Sequence, residues 1–224
     1  MVFLIDGKKV RLNPYNMRYS EKIGETVNSA VYLIGGKAYK LYKPYGQKEL
    51  ITKDIIKHYK NIPTEKIKLP TSPILDKKRR LQGYISEYVK DLGIEQFMKQ
   101  DIKTSLSELK LLENDFILLG EHNILVNDAN YENTVFNKGA NLIDSGRFQK
   151  GQDENISISY NQEAFNEYLI DQIICKYIRL LKKSPKNLKK EYLKQISQGI
   201  NLLDYIEKDA KEENLDEYLK RKSR

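Results

Sequence analysis

The sequence has one cysteine, no tryptophan and no long apolar run. A single cysteine, Cys175, excludes an intrachain disulfide, which is typical of a reducing compartment, and its apolar helical surroundings predict a buried structural thiol. No apolar run approaches the ~20 residues that span a bilayer. Residues 1–6 lack the charged start and the cleavage site of a signal peptide. We therefore expect a cytoplasmic protein with no membrane partner.

What is present is typical of a folded protein with a basic surface. Hydrophobic residues make up 40% and charged residues 31% of the 224 positions, enough for one large domain or two small lobes. The formal net charge is +8, but the lysines are spread along the whole chain. Because no aromatic RNA-binding signature accompanies them, we expect no specific nucleic-acid partner.

The first ninety residues are typical of short strands separated by turns. Asp6–Gly7 and Gly35–Gly36 are hairpin signals, and a helical period covers residues 50–59. The strand-like runs are residues 2–5, 10–12, 29–34, 38–42, 72–75 and 83–89.

After Gly93 the apolar spacing becomes helical. The predicted helical stretches are residues 94–98, 106–119, 162–181, 188–206 and 215–219. This change predicts an α+β protein with an N-terminal antiparallel sheet plus one helix (1–90) and a mainly helical C-terminal lobe (91–224). Ligand sites favour clefts between two such lobes.

One stretch, residues 124–148, carries the clearest chemistry. Asp128 follows an apolar run, Asn133 comes five residues later, and Asp144 follows the apolar pair Leu142–Ile143. Carboxylate and amide oxygens suit a hard cation such as Mg²⁺ bound to phosphate, and Asp128 is suited to orient a hydroxyl.

This stretch resembles the catalytic region of the protein-kinase-like superfamily. The family has an Asp, an Asn five residues on, and an Asp-Phe-Gly element about a dozen residues later, all between apolar strands. Asp128 and Asn133 match the first two, and Asp144–Ser145–Gly146 lies at the place of the third.

Three upstream segments resemble the family's nucleotide-binding elements, in the family's order. Residues 23–32 resemble the phosphate-covering loop, residues 38–40 the strand that carries its lysine, and residues 86–89 the hinge. The nucleotide-contacting positions implied are Ile23, Gly24, Val31, Ala38, Lys40, Glu87 and Val89.

The resemblance implies a two-lobed kinase-like fold, ATP and Mg²⁺ as cofactors, and a role for each residue. Asn133 and Asp144 would bind the metal, Lys40 the α- and β-phosphates, and Asp128 the acceptor hydroxyl. Lys40 would pair with a helix carboxylate, for which we choose Glu49, with Asp54 as the second choice.

The sequence also departs from the family pattern. Val126–Asn127 replaces the family's His-Arg, Ser145 replaces the phenylalanine, and Asn130 stands where Ser/Thr kinases commonly carry a lysine. Val126–Asn127 and Ser145 remove regulatory contacts. They predict a minimal kinase that binds nucleotide without an activating phosphorylation or partner.

The leading hypothesis is an ATP- and Mg²⁺-dependent kinase that acts on a protein Ser/Thr hydroxyl. A small-molecule kinase of the aminoglycoside or choline type shares the same Asp…Asn…Asp set. A pseudokinase, an interaction module that binds nucleotide or has lost it, is the non-enzyme alternative.

Overall fold

The computed structural model describes residues 2–11, 21–43 and 51–223. The chain divides into two compact units, which we name the sheet unit and the helical unit. The sheet unit comprises Met1–Thr64, Lys68–Tyr88 and Asp144–Gln149, and the helical unit comprises Glu65–Ile67, Val89–Ile143 and Lys150–Arg224.

The sheet unit is built on an antiparallel sheet that has seven strands in the described residues, in the order β2-β1-β6-β7-β5-β4-β3. Two hairpins turn at the predicted glycine positions, because Gly7, Gly35 and Gly36 all have positive φ. The strands are β1 (Val2–Ile5), β2 (Lys8–Arg11), β3 (Glu21–Glu25), β4 (Ser29–Ile34), β5 (Lys37–Tyr42), β6 (Ser72–Leu75) and β7 (Leu81–Glu87).

Alternation of side chains gives this sheet two different faces. On one face Phe3, Ile74 and Ile85 form a buried apolar cluster, against which Tyr39 and Leu41 pack. Successive residues of a strand point to opposite faces. Lys40, between Tyr39 and Leu41, therefore points to the other face.

Helix α1 (Lys53–Tyr59) also belongs to the sheet unit. The Thr52 hydroxyl caps it by accepting a hydrogen bond from the Ile55 N–H at 3.3 Å. Ile56 and Tyr59 are buried. The helix was predicted from residue 50, but Ile51 precedes the cap and Leu50 lies outside the described residues.

The helical unit consists of one long central helix with shorter helices packed on it. Strands β9 and β10 form a hairpin, whereas β8 and β11 are two residues long. The elements are α2 (Ile94–Met98), α3 (Ile102–Glu121), β8 (Ile124–Leu125), β9 (Thr134–Asn137), β10 (Gly139–Leu142), β11 (Gln149–Lys150, whose first residue belongs to the sheet unit), α4 (Glu154–Glu167), a π-helical segment (Tyr168–Ile174), α5 (Cys175–Leu180), α6 (Lys186–Ser197), α7 (Leu202–Asp209) and α8 (Leu215–Lys222).

Helix α3 supplies the centre of the helical core. Leu109, Leu112, Phe116 and Leu119 recur at helical spacing and are almost completely buried. The Phe116 ring meets the ring of Phe165 edge to face at 5.5 Å between centroids.

A buried carboxylate on α3 holds the short segment Glu65–Ile67 in this unit. Asp115 accepts hydrogen bonds from the N–H groups of residues 65, 66 and 67, at 3.0, 2.5 and 2.8 Å. Burial raises the pKa of Asp115, and these three bonds act in the opposite direction. The Lys66 ammonium also pairs with Glu108.

The predicted α+β class, with an antiparallel sheet before a mainly helical part, is confirmed. Two stretches differ in detail. The helix predicted at 162–181 begins at Glu154, because Asp153 caps it by accepting from the Ile156 N–H. The stretch 188–206 contains two helices, separated by a turn in which Gly199 has a φ of 75°.

No helix in the described ranges has both the length and the apolar character needed to cross a membrane.

Gly83 of β7 gives a test of the sheet. A Cβ at this position would lie 2.0 Å from the Lys40 carbonyl oxygen, with φ at +156°. Since backbone atoms must move to relieve that clash, we expect Gly83→Ala to lower the free energy of unfolding by about 3 kcal/mol, measured by urea unfolding.

Gly36→Ala is the matched control. Gly36 also has positive φ, but a Cβ there meets nothing within 4 Å, so only the ~1 kcal/mol left-handed penalty applies. Equal losses for the two variants would contradict the close approach of β7 to β5.

Candidate functional site

Four of the strands bring a row of residues together on one face of the sheet. Gly24 pairs with Val31, Val31 with Lys40, and Lys40 with Tyr84. Directly opposed residues of antiparallel strands share a face, and Ala38, two residues before Lys40, shares it too. The structure thus gathers Gly24, Val31, Ala38 and Lys40, which were chosen from sequence.

Lys40 is the charged centre of this row. Its side chain is only 9% exposed, and its ammonium lies 2.6 Å from both carboxylate oxygens of Asp144, whose side chain is 36% exposed. The Tyr84 hydroxyl donates to Asp144 Oδ1 at 3.0 Å. A buried ammonium is costly unless a counter-charge and hydrogen bonds compensate it, and Asp144 supplies that compensation.

The segment after β10 presents Asp144 through an unusual backbone conformation. Asp144 has a φ of 62°, a left-handed conformation that costs a non-glycine residue ~1 kcal/mol or more. The Phe148 N–H then donates to the Ser145 carbonyl at 3.2 Å, which forms a turn. Ser145 Oγ is buried, and no described residue hydrogen-bonds to it.

The hairpin of β3 and β4 was predicted to cover phosphates. Its turn is stabilised by a threonine hydroxyl, at positions where the family has further glycines. Thr26 Oγ1 accepts from the N–H groups of Asn28 and Ser29 at 3.2 and 3.1 Å. Val27 at the tip is 88% exposed. The loop is therefore a defined turn whose apolar tip faces solvent.

Charges flank this hairpin. Hydrogen bonds from Lys22 and then from Lys43 lower the pKa of Glu25 to about 2. Glu25 is therefore ionised at neutral pH and balances two lysines beside the turn.

In the helical unit, amide groups surround Asp128. Asn130 Nδ2 donates to Asp128 Oδ1 at 2.9 Å, and Asn133 Nδ2 donates to the Asp128 carbonyl at 3.0 Å and to Oδ2 at 3.3 Å. Asn130 Oδ1 also accepts from the Asn133 N–H at 3.0 Å and so caps the single 3₁₀ turn Tyr131–Asn133. Asp128 itself has a φ of 64°. The two residues selected by their spacing of five thus contact each other.

Hydrogen bonds join the Asp128 loop to helix α4 and to the π-helical segment. Thr134 Oγ1 lies 2.9 Å from the Tyr168 hydroxyl, and burial raises the pKa of Tyr168. The fully buried Asn161 accepts from the Val126 N–H at 2.9 Å and donates to the carbonyls of Phe116 and Ile124 at 2.8 Å. These bonds fix the strand that leads into Asp128.

The remaining predicted residues lie outside this row of side chains and outside the Asp128 loop. Ile23 and Val89 are half-buried, and Glu87, at the end of β7, lies 3.1 Å from the Lys68 ammonium. Glu49, the chosen partner of Lys40, lies outside the described residues.

Asp54, the second choice for that partner, is not brought to Lys40. Its side chain is 75% exposed, and its carboxylate lies 3.9 Å from the Lys57 ammonium. Because α1 begins only at Lys53, Asp54 lies in its first turn, where a carboxylate also suits the helix dipole.

Sequence reasoning missed two residues of the site. Tyr84 was seen only as part of a strand, although the alternation of β7 places it opposite Lys40. Asn130 was seen as a departure from the family, although Asn is among the preferred N-cap residues.

The Lys40–Asp144 pair can be tested by a double-mutant cycle with Lys40→Met and Asp144→Asn. Because one side chain is buried and the other a third exposed, we expect a coupling of about 1–2 kcal/mol in the free energy of unfolding. The control cycle uses Lys68 and Glu87, whose carboxylate is 64% exposed, and should give under about 0.5 kcal/mol. Equal couplings would argue against a buried pair.

Comparison with known proteins gives a structural match alone. No family model matches the chain, and no curated protein is similar to it in sequence. Among solved structures, the chain is similar to the Legionella pneumophila Lpg2603 kinase bound to IP6, with a TM-score of 0.45 and 13% identity. The match covers 68% of this chain and 58% of that kinase, so it spans a little over half of that protein's length.

Proposed function

We propose that the chain is an ATP- and Mg²⁺-dependent phosphotransferase that moves the γ-phosphate to a hydroxyl group. The observation that carries the proposal is the buried Lys40 ammonium beside the Asp144 carboxylate, on the sheet face that also presents Val31 and Ala38. A lysine and a metal-binding acid in this relation are what phosphate binding by a kinase requires.

The Lys40 ammonium and the Asp144 carboxylate have the charges that would bind the phosphates and the metal of Mg²⁺-bound ATP. Lys40 would donate to the α- and β-phosphates, and Tyr84 would keep the Asp144 carboxylate in place. Asp144 and Asn133 would each offer a hard oxygen to Mg²⁺, and the partial exposure of Asp144 fits such a role. When bound, the metal would neutralise charge that develops on the phosphates.

The apolar members of the row suit the base of the nucleotide. Val31 and Ala38 would pack on the adenine ring. The backbone N–H and C=O groups of residues 87–89 would hydrogen-bond its edge, as the family resemblance implies. This leaves the Glu87 side chain free to keep its contact with Lys68.

Asp128 would orient the acceptor hydroxyl and accept its proton. Two amide donors hold the carboxylate of Asp128 without adding net charge, so it stays a hydrogen-bond acceptor for the hydroxyl. A protein Ser/Thr hydroxyl is the leading acceptor. The segment between Asp144 and the helix cap Asp153 is short, which supports nucleotide binding without an activating phosphorylation.

The test is a transfer assay with Mg²⁺ and [γ-³²P]ATP, with a generic protein acceptor and with a panel of hydroxyl metabolites. Wild type should bind ATP and transfer label. Asp128→Asn should keep ATP binding and lose about 10²–10⁴-fold in rate, since it removes only the proton acceptor. Asp144→Ala and Lys40→Met should weaken binding of Mg²⁺-bound ATP, whereas the control Lys68→Met should not.

The acceptor that becomes labelled distinguishes a protein kinase from a small-molecule kinase and from a pseudokinase. Label on protein supports a protein kinase, and turnover on a metabolite alone supports a small-molecule kinase. ATP binding without transfer, or no ATP binding, would indicate a pseudokinase. A requirement for prior phosphorylation would contradict constitutive nucleotide binding.

Asn130 gives a separate prediction about positioning. Asn130→Asp keeps an oxygen that caps the Asn133 N–H but places a second carboxylate against Asp128. We expect kcat to fall by about 10²-fold with the KM for ATP unchanged, because the hydroxyl-orienting group is displaced. Asn137→Asp, in the following hairpin, is the control. A change in the KM for ATP alone would show that Asn130 does not act through Asp128.

A further inference from the structure

The helical unit contains a cavity of about 210 Å³ beside Asp128. Ligand pockets more often measure roughly 300–1,000 Å³, so this one suits a single side-chain-sized group. It is lined by residues of the Asp128 loop, of α4 and of the π-helical segment: Val126, Asn127, Asp128, Ala129, Tyr160, Ala164, Glu167, Tyr168, Asp171 and Gln172.

The π-helical segment is the first sign that this cavity has a function. It interrupts one continuous helical run between α4 and α5 and supplies Tyr168, Asp171 and Gln172 to the wall. π-Helical turns are rare and occur frequently at functional sites, because they change the direction in which side chains point.

Hydrogen bonds make the wall rigid. The Tyr160 hydroxyl donates to Asn127 Oδ1 at 2.6 Å, and the Tyr131 N–H donates to Gln172 Oε1 at 3.2 Å. With the bond between Thr134 and Tyr168, these contacts join the Asp128 loop to the helix at three points. A group bound here would therefore lie at a fixed distance from the Asp128 carboxylate.

The charge of the cavity is opposite to that of the chain. Its ionisable lining groups, apart from tyrosine, are the carboxylates of Asp128, Glu167 and Asp171, in a chain with a formal net charge of +8. Lys189 neutralises Asp171 from α6, at 2.6 Å. The exposed Glu167 carboxylate, for which the described residues provide no ion pair, is left to attract a cation.

We propose that this cavity receives a cationic group, an ammonium or a guanidinium, carried by the phosphate acceptor next to its hydroxyl. The proposal rests on the proposed function, because it takes Asp128 as the group that orients that hydroxyl. Glu167 is then the residue that determines specificity. A basic residue beside a Ser/Thr and a small amino alcohol share this chemistry.

The experiment is an NMR titration of the full chain with two probe pairs that differ in charge. One pair is seryl-arginine amide and its neutral isostere seryl-citrulline amide, and the other is 2-aminoethanol and ethylene glycol. We expect the charged member of one pair to shift the amide signals of residues 126–129 and 160–172, with at least tenfold higher affinity than its neutral partner. The pair that responds distinguishes a peptide from a small molecule.

Glu167→Gln should weaken binding of the charged probe about tenfold, and Glu163→Gln, on the same helix but outside the cavity, should not. Equal affinities within both pairs, shifts elsewhere, or no effect of Glu167→Gln would overturn the proposal. Affinity for Mg²⁺-bound ATP is measured on the same samples. Cation binding without ATP binding would support the cation site and overturn its role in phosphoryl transfer.

Discussion

The ion pair between Lys40 and Asp144 is the interaction on which the site depends. It joins residues 104 positions apart, and the segment Asp144–Gln149 belongs to the same unit as Lys40, the sheet unit. Desolvating an ammonium costs several kcal/mol, so a lysine on a sheet face is kept there only when a carboxylate and a hydrogen-bonding neighbour compensate it. Asp144 and Tyr84 provide both. The same contacts are made by a residue whose backbone is left-handed, with a φ of 62°.

The helical unit organises its own carboxylate in a different way. The contacts of Asp128 include the neutral amides of Asn130 and Asn133, and the strand before it is held by the buried amide of Asn161. Amides fix geometry by hydrogen bonds but add no counter-charge. These amide hydrogen bonds hold the conformation of the loop, in which Asn127 precedes Asp128.

Local patterns predicted the fold class because each hairpin is set by its own turn residues and by alternation within a few positions. The Asp128–Asn133 contact was likewise predictable from spacing, since both residues lie in one turn. The Lys40–Asp144 pair was not predicted, because nothing local joins residues so distant in sequence; the family resemblance selected each residue separately. The start of α4 was missed because residues 154–161 are mostly polar and exposed. A buried Asn161 there gives no apolar signal, and the π-helical segment has no sequence signature.

Charge acts on two length scales in this protein. The net charge of +8 would attract a polyanion such as ATP from a distance, but at physiological salt that attraction is screened beyond roughly 8 Å. Under the proposed function, Lys40 would bind the anionic nucleotide, whereas Glu167 beside Asp128 would favour a cationic acceptor. The net charge would then affect how fast the nucleotide arrives, and the carboxylates of the cavity would determine which acceptor is bound.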